Sequence, residues 1–148
     1  MAYVPEDTKW FVADLVEEIR VEGHRRNIVH INTVLIRATT PEEAYARAVE
    51  RGKASNQSYT NSKGETVSIR FRGLRHLDVI FDALEDGCEI SFREKLGVSE
   101  AAIEKLILPK EELEAFLPIR DRPGRPDYSS GEVMAELLRE FTTPPPEA

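Results

Sequence analysis

Residues 9–38 read KWFVADLVEEIRVEGHRRNIVHINTVLIRA, and the fold turns on them. In the first part Phe11, Ala13, Leu15, Ile19 and Val21 stand at alternating positions, with Glu17 the one exception. A period of two puts every second side chain on one face of a strand, so this stretch predicts a strand with one buried face. Gly23 and the polar run His24-Arg25-Arg26-Asn27 break the pattern as a turn. Residues 28–38 are rich in Ile, Val and Thr, whose branched side chains suit a pleated sheet, and they read as a second strand. Two strands joined by so short a turn predict an antiparallel hairpin.

A helix follows. Thr40 is placed to cap it, Pro41 fits its first position and Glu43 completes a T-x-x-E capping box. Ala44, Tyr45, Ala48 and Val49 form its apolar stripe, with Gly52 as a stop signal. The small alanines predict close approach to a sheet. Tyr59 to Thr66 reads as a strand end and a tight turn through Lys63-Gly64, after which Val67, Ile69 and Phe71 alternate with Ser68, Arg70 and Arg72. Leu74 to Leu84 is open between a continuing bent strand and a helical turn, and residues 88–93, CEISFR, alternate again and predict a further strand facing the core through Cys88, Ile90 and Phe92. The expectation is an α+β domain: an antiparallel sheet of four to five strands with one main helix on a face.

Beyond it, Ser99 predicts a short capped helix through Leu108, ended by Pro109. The run IRDRPGRPDYSS reads as a linker. Ser129-x-x-Glu132 then opens an amphipathic helix over 130–141, before the tail TTPPPEA, which is expected to be disordered. Three segments result: a core domain over 1–108, a short helix and Pro/Gly/Arg linker over 109–128, and an amphipathic helix with a Pro-rich tail over 129–148.

With 148 residues the chain has room for one domain and an extension. Cys88 is the single cysteine, so there is no intrachain disulfide framework, and a reducing compartment is the natural home. No basic-then-apolar leader opens the chain, and no apolar run approaches the roughly 20 residues a bilayer requires. A soluble cytoplasmic protein is expected. The net charge of −7 argues against sequence-blind binding to nucleic acid, which rests on neutralising phosphates.

Six features in order carry a resemblance: Trp10-Phe11-Val12-Ala13, the hairpin through Val34-Leu35-Ile36, Pro41 to Tyr45 with Gly52, the Tyr59–Gly64 turn, Arg70-Phe71-x-Gly73, and Glu85-Asp86-Gly87-x-Glu89. Over residues 9–93 the chain resembles a family of small bacterial proteins known only as a domain of unknown function (family 4288). The resemblance implies no activity, and it stops short of Pro109.

Three constellations are candidate sites. His76 and Asp78, two apart on one strand face, precede Glu85, Asp86 and Glu89; carboxylates and an imidazole together would suit a divalent metal or acid–base chemistry. The plain alternative is a polar turn with Asp86-Gly87 as its bend. Arg70, Arg72 and Arg75 form a basic stripe able to hold an anion, nucleic acid or acidic partner. The acidic run that follows would pair with it, leaving a self-neutralised surface. In the C-terminal helix Val133, Leu137, Leu138 and Phe141 form a stripe that is marginal alone in water and needs its own sheet, a second copy or another protein to cover it. Cys88 in phase with Ile90 reads as an inert buried thiol. No catalytic motif, cofactor fingerprint or metal spacing is present, so no cofactor is expected. The function expected is a non-enzymatic protein-binding or regulatory domain, with a metal-binding protein or small enzyme, and an anion or nucleic-acid binder, as alternatives.

Overall fold

The computed structural model describes residues 10–118 and 125–131. Four strands and one long helix come first: β1 (Trp10–Val21), β2 (Ile28–Arg37), α1 (Pro41–Ala54), β3 (Gln57–Thr60) and β4 (Thr66–Val79). They form an antiparallel α+β sheet in the order β2-β1-β4-β3. The first two strands make the expected hairpin, in register from Trp10 opposite Arg37 to Ile19 opposite Ile28.

The alternation in β1 becomes the core. Phe11, Ala13 and Leu15 cluster with Ile36, Ala38 and Val79 and with Ala44 and Ala48 of α1. Further along the same face Ile19 and Val21 join Val67, with Ile28, Tyr59 and Ile69 around them. Glu17 occupies the position between the two clusters and is only 9% exposed. Its carboxyl group accepts a hydrogen bond from the Asn32 amide at 2.9 Å, the partner a buried polar group requires.

β4 is fourteen residues long and was ambiguous in sequence because it carries two bulges. Arg72 and Arg75 have no partner on β1, so each inserts one residue and reverses the phase. Two reversals cancel. Phe71, Leu74, Leu77 and Val79 therefore all face the first cluster although their spacing is not two.

α1 starts as read: the Thr40 hydroxyl accepts from the Glu43 amide at 3.1 Å. The return bond of the capping box shifts by one residue: the Glu43 carboxylate accepts from the Thr39 backbone amide at 3.3 Å and then its hydroxyl at 2.9 Å, and these bonds, the backbone one first, hold its carboxyl below the usual range. Gly52 is not the stop, since α1 runs on to Ala54. It is there for clearance: a Cβ at this position would stand 2.4 Å from the Phe71 ring.

Two compact units divide the described residues, 10–91 with 126–131, and 92–118 with 125. The second holds α2 (Glu100–Leu106), capped by the Ser99 hydroxyl, and 3₁₀ turns at Lys110–Glu112 and Glu114–Phe116. α2 stops two residues short of the expected Leu108. From Phe92 to Pro118 no residue is buried, as a segment too short to enclose a core dictates.

The strand expected over 88–93 is absent. Cys88 closes a turn on the Glu85 carbonyl at 3.1 Å with Gly87 at φ +82°, and the residues after it are irregular. Cys88 is half-buried, Ile90 is exposed and Phe92 is 72% exposed, so this row does not face the core. Alternation predicts a strand only where a neighbouring strand accepts its backbone bonds. Pro126 to Gly131, at the end of the stretch read as a linker, return to the sheet unit: the Asn61 amide donates to the Asp127 carbonyl at 2.9 Å and the Tyr59 hydroxyl to the Tyr128 carbonyl.

Replacing Gly52 by Ala is expected to lower the unfolding free energy by about 1–3 kcal/mol, the usual cost of overpacking. Urea denaturation measures it, and Phe71→Leu in the same chain should recover part of the loss.

Candidate functional site

The histidine and carboxylates singled out in sequence do not assemble into a centre. His76 lies half-buried opposite Asp14, and Asp78 is exposed opposite Val12 with its carboxylate accepting from the Val79 amide at 2.8 Å. Glu85 and Asp86 are exposed in the turn, and the Glu89 amide bonds the Asp82 carboxylate at 3.3 Å. Among the described residues no group of three or more His, Cys, Asp or Glu side chains is placed to hold a metal ion.

The basic stripe is organised by a residue the sequence reading passed over. Glu18, on the face of β1 away from α1, accepts from Asn27 at 2.6 Å and pairs with Arg20 at 3.0 Å and Arg72 at 3.2 Å. Arg70 stands opposite it on β4. The Asn27 hydrogen bond and then the two guanidiniums hold its carboxyl below the ordinary range. Self-neutralisation of Arg72 therefore occurs as expected, but through the central strand and not through the acidic run after Asp78. Its bulge lets Arg72 reach across. Val133, Leu137, Leu138 and Phe141 lie outside the described residues.

The turn between β3 and β4 is held by Asn61, which is 4% exposed. Its carbonyl accepts from the amides of Lys63 at 3.0 Å and Glu65 at 2.9 Å, and its amide donates to Glu65 at 3.0 Å. The Glu65 carboxylate also meets His24 at 3.1 Å, and these bonds, Asn61 first, keep its carboxyl below the usual range. His30, which has no obvious partner in sequence, rests edge-on against Tyr128 at 5.2 Å. Burial, then the nearby Asp127, pushes the Tyr59 hydroxyl up.

The face opposite α1 is uneven. Val12 is buried there at 1% exposure, whereas Val29, Ile31 and Leu35 along β2 are 53%, 44% and 46% exposed. Only Thr33 interrupts this row, its hydroxyl donating to Asp14 at 2.7 Å. Beside the second half of β2 lies an open groove of about 750 Å³ that runs from Trp10 and Leu35 to Arg37, Arg47 and Arg51. The strand itself is legible in the sequence and this surface is not, because alternation cannot show that one side of β2 has no neighbour among the described residues.

A family model, "Domain of unknown function (DUF4288)", matches residues 10–91, more than half of the chain. The chain belongs to the DUF4288 family. The DUF4288 match ends at Ser91, where the sheet unit gives way to the segment beginning at Phe92. It takes in both candidate polar clusters and the whole of β2. Neither the curated proteins nor the solved structures contain a match to this DUF4288 chain. Among the described residues no helix is long and apolar enough to cross a membrane.

Two outcomes are expected here. Asn61→Ala should cost about 1–3 kcal/mol of stability, because it leaves the part-buried amides of Lys63 and Glu65 without their acceptor; thermal or urea unfolding measures it. Glu18 is held below its ordinary value in the folded chain, so its contribution is complete above the unfolded value of 4.5 and is lost as pH falls through the lower folded one. Glu18→Gln should therefore show a shallower fall in urea midpoint on acidification than the parent chain.

Proposed function

We propose that this DUF4288 chain is a protein-binding module whose contact surface is strand β2. The observation that carries this is the row Val29, Ile31 and Leu35, half-exposed side by side on a ten-residue strand at the end of the sheet order. Scattered surface aliphatics need no explanation, but a row on one strand broken only by Thr33, with a groove at its Leu35 end, marks an interaction surface. A partner that completed the burial of these three side chains would gain about 1 kcal/mol from each, roughly half the value of burying one outright.

The strand's other properties support the reading. From Ile28 to Ile36 it carries no Asp, Glu, Lys, Arg, Pro or Gly, and its pairing with β1 has no bulge. Proteins that do not use a sheet edge usually blunt it with such residues or with bulges. β3, at the other end of the sheet, is only four residues long, one of the ordinary protections.

Site-specific photo-crosslinking in cells tests this reading. A photoreactive side chain at Ile31 or Leu35 should give one discrete protein adduct of the same partner mass, and the same group at exposed Lys53 on α1 should not. Adducts of equal yield at all three positions, or at none, would refute a specific surface on β2.

A further inference from the structure

The backbone of β2 can be assigned residue by residue. Trp10 and Glu22 of the β1 side both bond towards β4, through Ile80 N to Trp10 O at 3.1 Å and Glu22 N to Thr66 O at 2.8 Å. Backbone groups alternate along a strand, so the even-numbered residues of β1 serve β4 and the odd-numbered ones serve β2. Odd residues of β1 stand opposite even residues of β2, from Phe11 with Ile36 to Ile19 with Ile28. Val29, Ile31, Thr33, Leu35 and Arg37 therefore direct their N–H and C=O groups outward. Arg37 agrees: its carbonyl accepts a guanidinium N–H from Arg47 at 2.6 Å. Among the described residues the backbone groups of Val29, Ile31, Thr33 and Leu35 have no such partner.

These four residues form a template for one more strand, and the two sides of the template differ in chemistry. Next to the outward face lie Val29, Ile31 and Leu35. On the helix side the groove presents Arg47 and Arg51 of α1 against Glu50, with Arg47 also 3.9 Å from Glu43, while Arg37 belongs to the outer row of β2. Around the groove as a whole stand three arginines and one glutamate, in a chain of net charge −7. An added strand with apolar and acidic residues alternating would lay the first on the aliphatic row and the second towards the arginines. A second copy fits less well. Antiparallel self-pairing about Asn32, which keeps like faces together, sets Arg37 opposite Asn27 and brings the Arg25-Arg26 turn to the same three arginines.

We propose that β2 binds an extended acidic–apolar peptide segment of a partner protein as a fifth strand. This rests on the protein-binding reading above and names its ligand chemistry.

The test uses the full chain and a fluorescently labelled ten-residue peptide of alternating Val and Glu, with its Val–Lys counterpart, read by anisotropy at low salt. The acidic peptide is expected to bind at least tenfold more tightly than the basic one. Arg51→Glu, on the exposed side of α1, should abolish that difference. Thr33→Pro should abolish binding altogether; its N–H points outward, so proline there removes no bond to β1 and is tolerated at a sheet edge. If Thr33→Pro fails to fold by circular dichroism, Arg51→Glu decides the question. Equal binding of the two peptides, or a preference that Arg51→Glu leaves unchanged, overturns the acidic assignment while β2 stands as a binding edge. No peptide binding by a chain that is a dimer, and that Thr33→Pro makes monomeric, gives the edge to a second copy and also overturns the proposal. No peptide binding by a chain whose mass does not respond to Thr33→Pro overturns the protein-binding reading as well.

Discussion

Strand β1 runs from Trp10 to Val21 unbroken, and the sheet takes its phase from the row of side chains it buries. Phe11, Ala13 and Leu15 fix where α1 can sit, and Ile19 and Val21 fix the second cluster. β2 matches β1 residue for residue, while β4 matches it only by inserting Arg72 and Arg75. The two neighbours thus meet one constraint in different ways. The hairpin partner inherits its register from a short turn, whereas the distant strand has to adjust within itself.

What was legible in sequence follows from this. β1, β2 and α1 were readable because their signals are local: a period of two, branched residues, and a Thr–Glu cap pair three residues apart. The far half of β4 was not, since the bulges break the period that identifies a strand. The row Cys88, Ile90, Phe92 failed in the opposite way, with the right period and no neighbour to bond. Gly52 reads in sequence as a helix stop, and only the Phe71 ring above it shows that the residue is needed for contact. The polar residues followed the same rule. Glu18 and Asn61 organise more hydrogen bonds than any candidate chosen from sequence, but their partners, Arg72 and Asp127, come from far along the chain.

The edge strand gives the surface its character. A side-chain pattern describes the two faces of a strand and says nothing of its two sides, so β2 reads the same whether it has one neighbour or two. Among the described residues it has one. The residues that turn their backbone outward are also those whose side chains leave the α1 face, so one set of odd-numbered positions carries both the hydrogen-bonding template and the aliphatic row. On the other side of the strand Ile36 and Val34 pack inward with the core. Such a division lets the outer positions vary in response to a ligand while the inner ones answer only to packing.

The paired bulges of β4 constrain how the gene for this strand can change length. Losing Arg72 or Arg75 alone would remove one bulge and restore ladder pairing there, while every other residue of the strand kept its partner on β1 and therefore its face. Losing a single residue from a laddered stretch such as Val67–Phe71 would instead slip the register and turn the residues on one side of it to the opposite face. Single deletions in this strand should therefore survive at the two bulges and fail within the laddered stretches, a rule that acts on the coding sequence through nothing more than the pleat.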